Sequence, residues 1–97
     1  MIISIDYDNT WTAIPDELSI FVQLLKKLKH KVIITTCRNQ WTDDMLLVPA
    51  PAHVPIIFAG SNFKQKAAEA AGYKVDIWID DHPGTIQPQY FLSDTRL

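Results

Sequence analysis

The sequence predicts an α/β fold: a three-layer α/β/α sandwich around a central, mostly parallel sheet of about four to five strands. Three observations predict it. Apolar, β-branched runs of strand length alternate with stretches of helical periodicity. The runs are apolar throughout instead of alternating with polar residues, the pattern of strands covered on both faces. The chain has 97 residues, 47% of them hydrophobic, which suits one domain over residues 1–97 with one core.

The elements follow in order. Residues 2–6 form the first apolar run. Pro15-Asp16-Glu17 opens a helix, because proline fits the first turn and acids suit its dipole. Leu18, Val22, Leu25 and Leu28 recur at helical spacing, and Phe21 and Leu24 are expected to widen that inward stripe. Lys26, Lys27 and Lys29 lie at the end that favours cations. Residues 31–36 form the second strand. Residues 40–48 suit a short helix, ended by Pro49-Ala50-Pro51. Residues 54–59 are the third strand, with Pro55 at its start or on an edge. Ser61 or Asn62 is expected to cap a helix through Ala71, with Gly72 as its stop. Residues 75–80 are the fourth strand. Whether the short tail after Pro83-Gly84 adds a fifth is left open.

Bulk properties exclude several classes. The formal charge is -2, so no basic excess marks a general nucleic-acid-binding surface. The single cysteine, Cys37, forms no internal disulfide, which points to a reducing, cytoplasmic setting. The N-terminus has no basic region ahead of an apolar one, so no signal peptide is expected. No apolar run approaches the ~20 residues of a membrane span.

Chemistry concentrates at the strand ends. Right-handed crossovers bring the carboxyl ends of parallel strands to one edge, where ligands bind in open α/β sheets. Those ends carry Asp6 and Asp8; Thr35, Thr36 and Arg38; Gly60 and Ser61; Asp80 and Asp81. Asp6 and Asp8 are two apart and emerge together. Like charges crowded in a cleft are tolerated when a cation lies between them or one holds a proton.

In this order, Asp6-Tyr7-Asp8-Asn9-Thr10, Thr36-Cys37-Arg38, Lys64 or Lys66, and Asp80-Asp81 resemble the four motifs of the haloacid dehalogenase-like superfamily of phosphohydrolases. The resemblance implies a Rossmann-like sheet and a Mg²⁺-dependent phosphatase. Asp6 would be the nucleophile that forms an aspartyl-phosphate. Asp8 would be the general acid and then the base, a role that calls for a pKa raised toward neutrality. Thr36 would hold a phosphoryl oxygen, and Thr10, Cys37 and Arg38 would lie against the substrate. The metal ligands would be Asp6, Asp80, the backbone carbonyl of Asp8, and Asp81 directly or through water. Small relatives of this kind often place the family lysine about eight residues before a glycine, which favours Lys64 over Lys66.

The chain departs from larger relatives in having no room for a cap domain. Only residues 11–14 separate Thr10 from the first helix, and fifteen residues lie between Arg38 and Val54. An open site suits a bulky or macromolecular phosphorylated substrate, or a second subunit that covers it in a homo-oligomer.

Each residue also has a plainer reading. Cys37 suits a small buried residue. Asn9 suits turn geometry. Trp11 and Trp41 cover the core or stack on a substrate ring. His30, His53 and His82 lack zinc spacing. Two non-enzymatic readings compete: a phospho-receiver domain and a metal-binding module without turnover. A receiver needs an aspartate ending a middle strand and a lysine after the last one. Here the middle ends are Thr36 and Gly60, and no lysine follows Asp81.

Overall fold

The computed structural model describes residues 1–39, 50 and 53–87. Four strands form one sheet: β1 (Ile2–Asp6), β2 (Lys31–Thr36), β3 (Ile56–Phe58) and β4 (Ile77–Ile79). Helix α1 (Pro15–Lys27) joins β1 to β2, and α2 (Lys64–Ala70) lies between β3 and β4. A tight turn at Tyr7–Trp11 follows β1, and a 3₁₀ turn at Pro83–Thr85 follows β4. The expected helix at 40–48, Trp41 and the tail beyond 87 lie outside the described residues. Among the described residues no helix is long and apolar enough to cross a membrane.

All strand pairs are parallel, in the order β3-β2-β1-β4. From β1 the chain steps outward through β2 to β3, then crosses back to place β4 on the far side of β1. The direction of winding therefore reverses at β1. The crevice beyond the ends of β1 and β4 is a topological switch point, where such sheets bind ligands.

Register assigns the two faces. Ile5 pairs with Ile34 and with Ile79, and Asp6 pairs with Thr35. Ile5, Val32 and Ile34 join Tyr7, Trp11, Leu18 and Val22 in the core cluster under α1. By the period of two, Ser4, Asp6, Ile33 and Thr35 face the other way. That face is polar toward the carboxyl edge. There Ser4 Oγ and Thr35 Oγ1 satisfy each other at 2.7 Å, both fully buried. Asp6 is the next residue on that face beyond Ser4, so the sheet itself aims its carboxylate at the side where α2 begins.

Both helices end in the same way. The N–H of Tyr73 bonds the Ala68 carbonyl across Gly72 (φ 95°), and that of His30 bonds the Leu25 carbonyl across Lys29 (φ 72°). Gly72 stops α2 as expected, whereas α1 places a lysine in the left-handed position. The start of α2 differs from expectation. Its N-cap is Phe63, with no side-chain cap, instead of Ser61 or Asn62. The third and fourth strands are also shorter than their apolar runs, because pairing covers only Ile56–Phe58 and Ile77–Ile79. Leu28 does not join the inward stripe of α1, and Phe21 and Leu24 do not widen it; all three are exposed, because their flank turns away from the sheet.

The Ser4–Thr35 bond gives a stability test. Ser4→Ala strands a buried hydroxyl and is expected to cost about 1–3 kcal/mol in urea unfolding. Adding Thr35→Val removes the orphan and should recover most of that loss. A double variant no more stable than Ser4→Ala would show that the pair is not what sets the cost.

Candidate functional site

Three segments supply the centre of the site. β1 delivers Asp6, only 7% exposed. The chain then leaves the strand through the Tyr7–Trp11 turn, in which Asn9 adopts φ 61° and the Thr12 N–H bonds the Tyr7 carbonyl. Asparagine tolerates the left-handed region, so Asn9 serves the geometry its position suggests. The turn is anchored by Tyr7 and Trp11, each 1% exposed and packed in the core. It folds Thr10 back so that its hydroxyl donates to Asp6 Oδ2 at 3.1 Å and lies 3.3 Å from Asp81 Oδ1.

α2 begins at Lys64, whose side chain is 3% exposed. Its Nζ donates to Asp6 Oδ1 at 2.5 Å and to Asp80 Oδ2 at 2.7 Å. Asp80 is steadied from its other oxygen by the His82 N–H at 2.9 Å. One ammonium thus ties the ends of β1 and β4 to the start of α2. Lys66, two residues on, is exposed and lines a separate depression beside Phe63 and Glu69. Of the two candidate lysines, only Lys64 reaches the acids.

Asp6, Asp80 and Asp81 each present an oxygen within 4.8 Å of the others. These are hard donors of the kind that hold Mg²⁺ or Ca²⁺. They line a pocket of about 150 Å³ together with Asp8, Cys37 and Lys64. Its volume corresponds to about five waters at liquid density. Cys37 is exposed at this wall, which corrects the expectation of a buried thiol: the strand ends at Thr36, and the next side chain turns out to solvent.

Asp8 stands apart from the three-acid cluster. Its carboxylate takes a forked pair from Arg38, with Nε at 3.2 and 3.0 Å from its two oxygens and Nη2 at 2.8 Å. Arg38 also lies over the Tyr7 ring, 5.3 Å from its centre. Both partners are partly open to solvent, at 30% and 48%. Sequence reasoning placed both residues at the site but missed that they pair. The β1–β2 register carries the signal: Asp6 lies beside Thr35, so residues two or three beyond each are neighbours.

Thr36 is fully buried and does not line the pocket. Its Oγ1 accepts the Arg38 N–H at 3.1 Å, which shapes the bend that carries Arg38 toward Asp8. His82 and Thr85 line the pocket from the β4 side; the sequence favours a structural loop role for His82 over an approach to substrate and does not single out Thr85.

No family model, curated protein or solved structure matches the chain. The chemistry of the site is therefore read from its own geometry.

Four carboxylates (Asp6, Asp8, Asp80, Asp81) meet two cations (Lys64, Arg38), which leaves two negative charges when all are ionised. Burial pushes the Asp6 carboxyl up to about 6, and the neighbouring Asp81 and Asp80 act in the same direction against the pull of Lys64. Asp81, exposed, is held below its usual value, chiefly by its hydrogen bond with Asp6 and also by Thr10. Burial alone would lower Lys64, but its bonds to Asp6 and Asp80 outweigh that and raise it. The cluster calls for a positive charge: a proton at moderate acidity, or a cation at neutral pH.

The sign of the pH effect follows. An acid raised from 3.8 to about 6 holds its proton more tightly when folded. Its contribution to stability is complete below the unfolded value and is lost as pH rises through the folded one. In metal-free buffer the wild type should therefore lose roughly 1–3 kcal/mol relative to Asp6→Asn between about pH 4 and pH 6.5. Asp81, shifted the other way, acts mainly below this window. Parallel stability curves for the two proteins would remove Asp6 as the group responsible.

Proposed function

We propose that the protein is a Mg²⁺-dependent phosphomonoester hydrolase of haloacid dehalogenase-like architecture, without a cap, that works through Asp6. The observation that carries this reading is the Lys64 ammonium held between Asp6 and Asp80 at the switch point of the sheet. A structural ion pair needs one acid. Here a buried lysine holds two, with a third carboxylate within reach of both.

The residues divide the chemistry as follows. An Asp6 oxygen attacks phosphorus, forming an O–P bond while the bond to the leaving oxygen breaks. A carboxylate is a weak nucleophile, so positioning and charge neutralisation carry most of the rate. Lys64 and Thr10 fix the Asp6 rotamer, one on each oxygen. Lys64 also offsets charge that develops on the transferred phosphoryl group. Asp8 takes up a proton from solvent and gives it to the leaving oxygen, then takes one from the water that cleaves the aspartyl-phosphate. For this Asp8 must leave Arg38, because both its oxygens accept from the guanidinium at rest. An incoming phosphoryl group is a natural competitor for Arg38, since the guanidinium fork suits phosphate as well as carboxylate.

The donor set suits Mg²⁺. Asp6, Asp80 and Asp81 would hold the ion, and it would supply charge neutralisation for the phosphoryl oxygens. The pocket opens to solvent among the described residues, which favours a phosphate presented on a bulky molecule over one that must be enclosed.

The test is hydrolysis of a panel of phosphomonoesters in Mg²⁺ and in EDTA. Wild type should turn over only with the metal, and Asp6→Asn should be inactive. Asp8→Asn should be slower by about 10²–10⁴. Lys66→Ala should be near wild type, whereas Lys64→Ala should be severely impaired. Activity retained in Asp6→Asn would remove the nucleophile assigned here. Magnesium binding without turnover on any ester would make the protein a metal-binding module.

A further inference from the structure

Helix α1 has a second apolar flank that the described residues leave open. Leu18 and Val22 are buried against the sheet, and Leu25 packs partly with them. Ile20, Phe21, Leu24 and Leu28 instead remain 68%, 38%, 52% and 58% exposed. Ile20, Phe21 and Leu24 on one flank of the 13-residue helix, with Leu28 at its C-cap, form a stripe unlike scattered surface leucines.

The positions on that flank have a definite spacing. Glu17, Ile20, Leu24 and Lys27 follow one another at intervals of three, four and three. That is the spacing of a helix-packing seam, with apolar residues at its two inner positions and charges at its two ends. The spacing reads the same from either end, with its centre at residue 22. The residues at the two ends carry opposite charge.

We propose that two copies of the chain pair through α1, antiparallel, about a two-fold axis near residue 22. In this register Ile20 lies opposite Leu24 of the partner subunit. Glu17 lies opposite Lys27 of the partner subunit, twice by symmetry. Phe21 and Leu28 close the sides of the seam. Several independent features favour a second copy as the occupant. The same dyad that matches apolar with apolar also matches acid with base. A parallel pairing would set Glu17 on Glu17 and Lys27 on Lys27. The antiparallel arrangement opposes the two helix dipoles, and it adds Asp16 at one end and Lys26 at the other to the favourable field. The isologous geometry is that of the commonest oligomers.

The seam is short. Thirteen residues at 1.5 Å each give a helix of about 20 Å. Such an interface falls in the small class, so a dissociation constant in the micromolar range is expected. The seam residues lie outside the phosphatase site proposed above. The pairing therefore stands or falls independently of that function.

The test is sedimentation equilibrium of the full chain from about 5 to 500 μM. Wild type should pass from monomer to dimer across this range. Leu24→Glu should stay monomeric with an unchanged far-UV circular dichroism spectrum, since the position is exposed. Glu17→Lys and Lys27→Glu should each weaken the dimer by about 5- to 30-fold, because each creates two like-charge contacts. The double reversal should restore it. That rescue needs no change in the apolar seam and so is insensitive to folding defects in Leu24→Glu. A wild type monomeric throughout, a dimer indifferent to Leu24→Glu, or a double reversal as weak as the singles would each overturn the proposal.

Discussion

The ammonium of Lys64 holds three separate parts of the chain in one place. It sits at the first residue of α2 and bonds the last residue of β1 and the residue just after β4. No strand ladder joins α2 to either strand, so this clasp and the packing of Ala68 against the sheet set where the helix begins. A lysine 2% exposed is tolerated only because both acids are in reach. The reverse also holds. Asp6 lies beside two other carboxylates and stays folded into the edge because Lys64 and Thr10 each take one of its oxygens. Removing Lys64 leaves the Asp6 and Asp80 carboxylates without their buried cation, which typically costs about 3–5 kcal/mol.

This coupling limits what a single substitution can reveal. A Lys64→Ala protein would lose a charge that stabilises the fold and a charge that the proposed chemistry needs. Asp6→Asn is the cleaner probe. It keeps the shape and an acceptor for Thr10 or Lys64, yet removes the nucleophilic charge. Asp8 and Arg38 are cleaner still, because their pair is partly solvated and contributes little to stability by the usual measure of exposed ion pairs. The site is thus built in two tiers: a buried clasp that belongs to the fold, and a solvent-side pair that can open.

Much of this plan was legible in the residues. Strand ends are readable because a β-branched run stops where polar chemistry starts, as at Ile5-Asp6 and Ile79-Asp80. Parallel topology then brings those ends together without further information. Two positions two apart on a helix cannot both face one point, and Lys64 was favoured over Lys66 only through its spacing to Gly72 in the family resemblance. Other features were hidden for identifiable reasons. The cap of α2 was misplaced because Ser61 and Asn62 are good capping types, yet the helix starts two residues later, where Lys64 must reach the acids. Cys37 was misjudged on residue type alone, which says nothing of the side to which a strand end turns. Phe21 and Leu24 fit the helical stripe by spacing, but a seven-residue pattern cannot say which of two adjacent flanks meets the sheet.

The Asp8–Arg38 pair illustrates what one sequence lacks and what register restores. The residues are thirty apart, and the motif around each says nothing of the other as its partner. Once Asp6 is known to lie beside Thr35, the pairing follows almost by counting. Its chemical meaning follows from counting too. A guanidinium that bonds both oxygens of a carboxylate leaves that group no oxygen with which to pass a proton. A carboxylate held in this way can take up and pass a proton only once something else takes the guanidinium. On the phosphatase reading proposed above, an incoming phosphoryl group would compete for that fork. Arginine on aspartate at rest and arginine on phosphate during turnover would then be two positions of one switch.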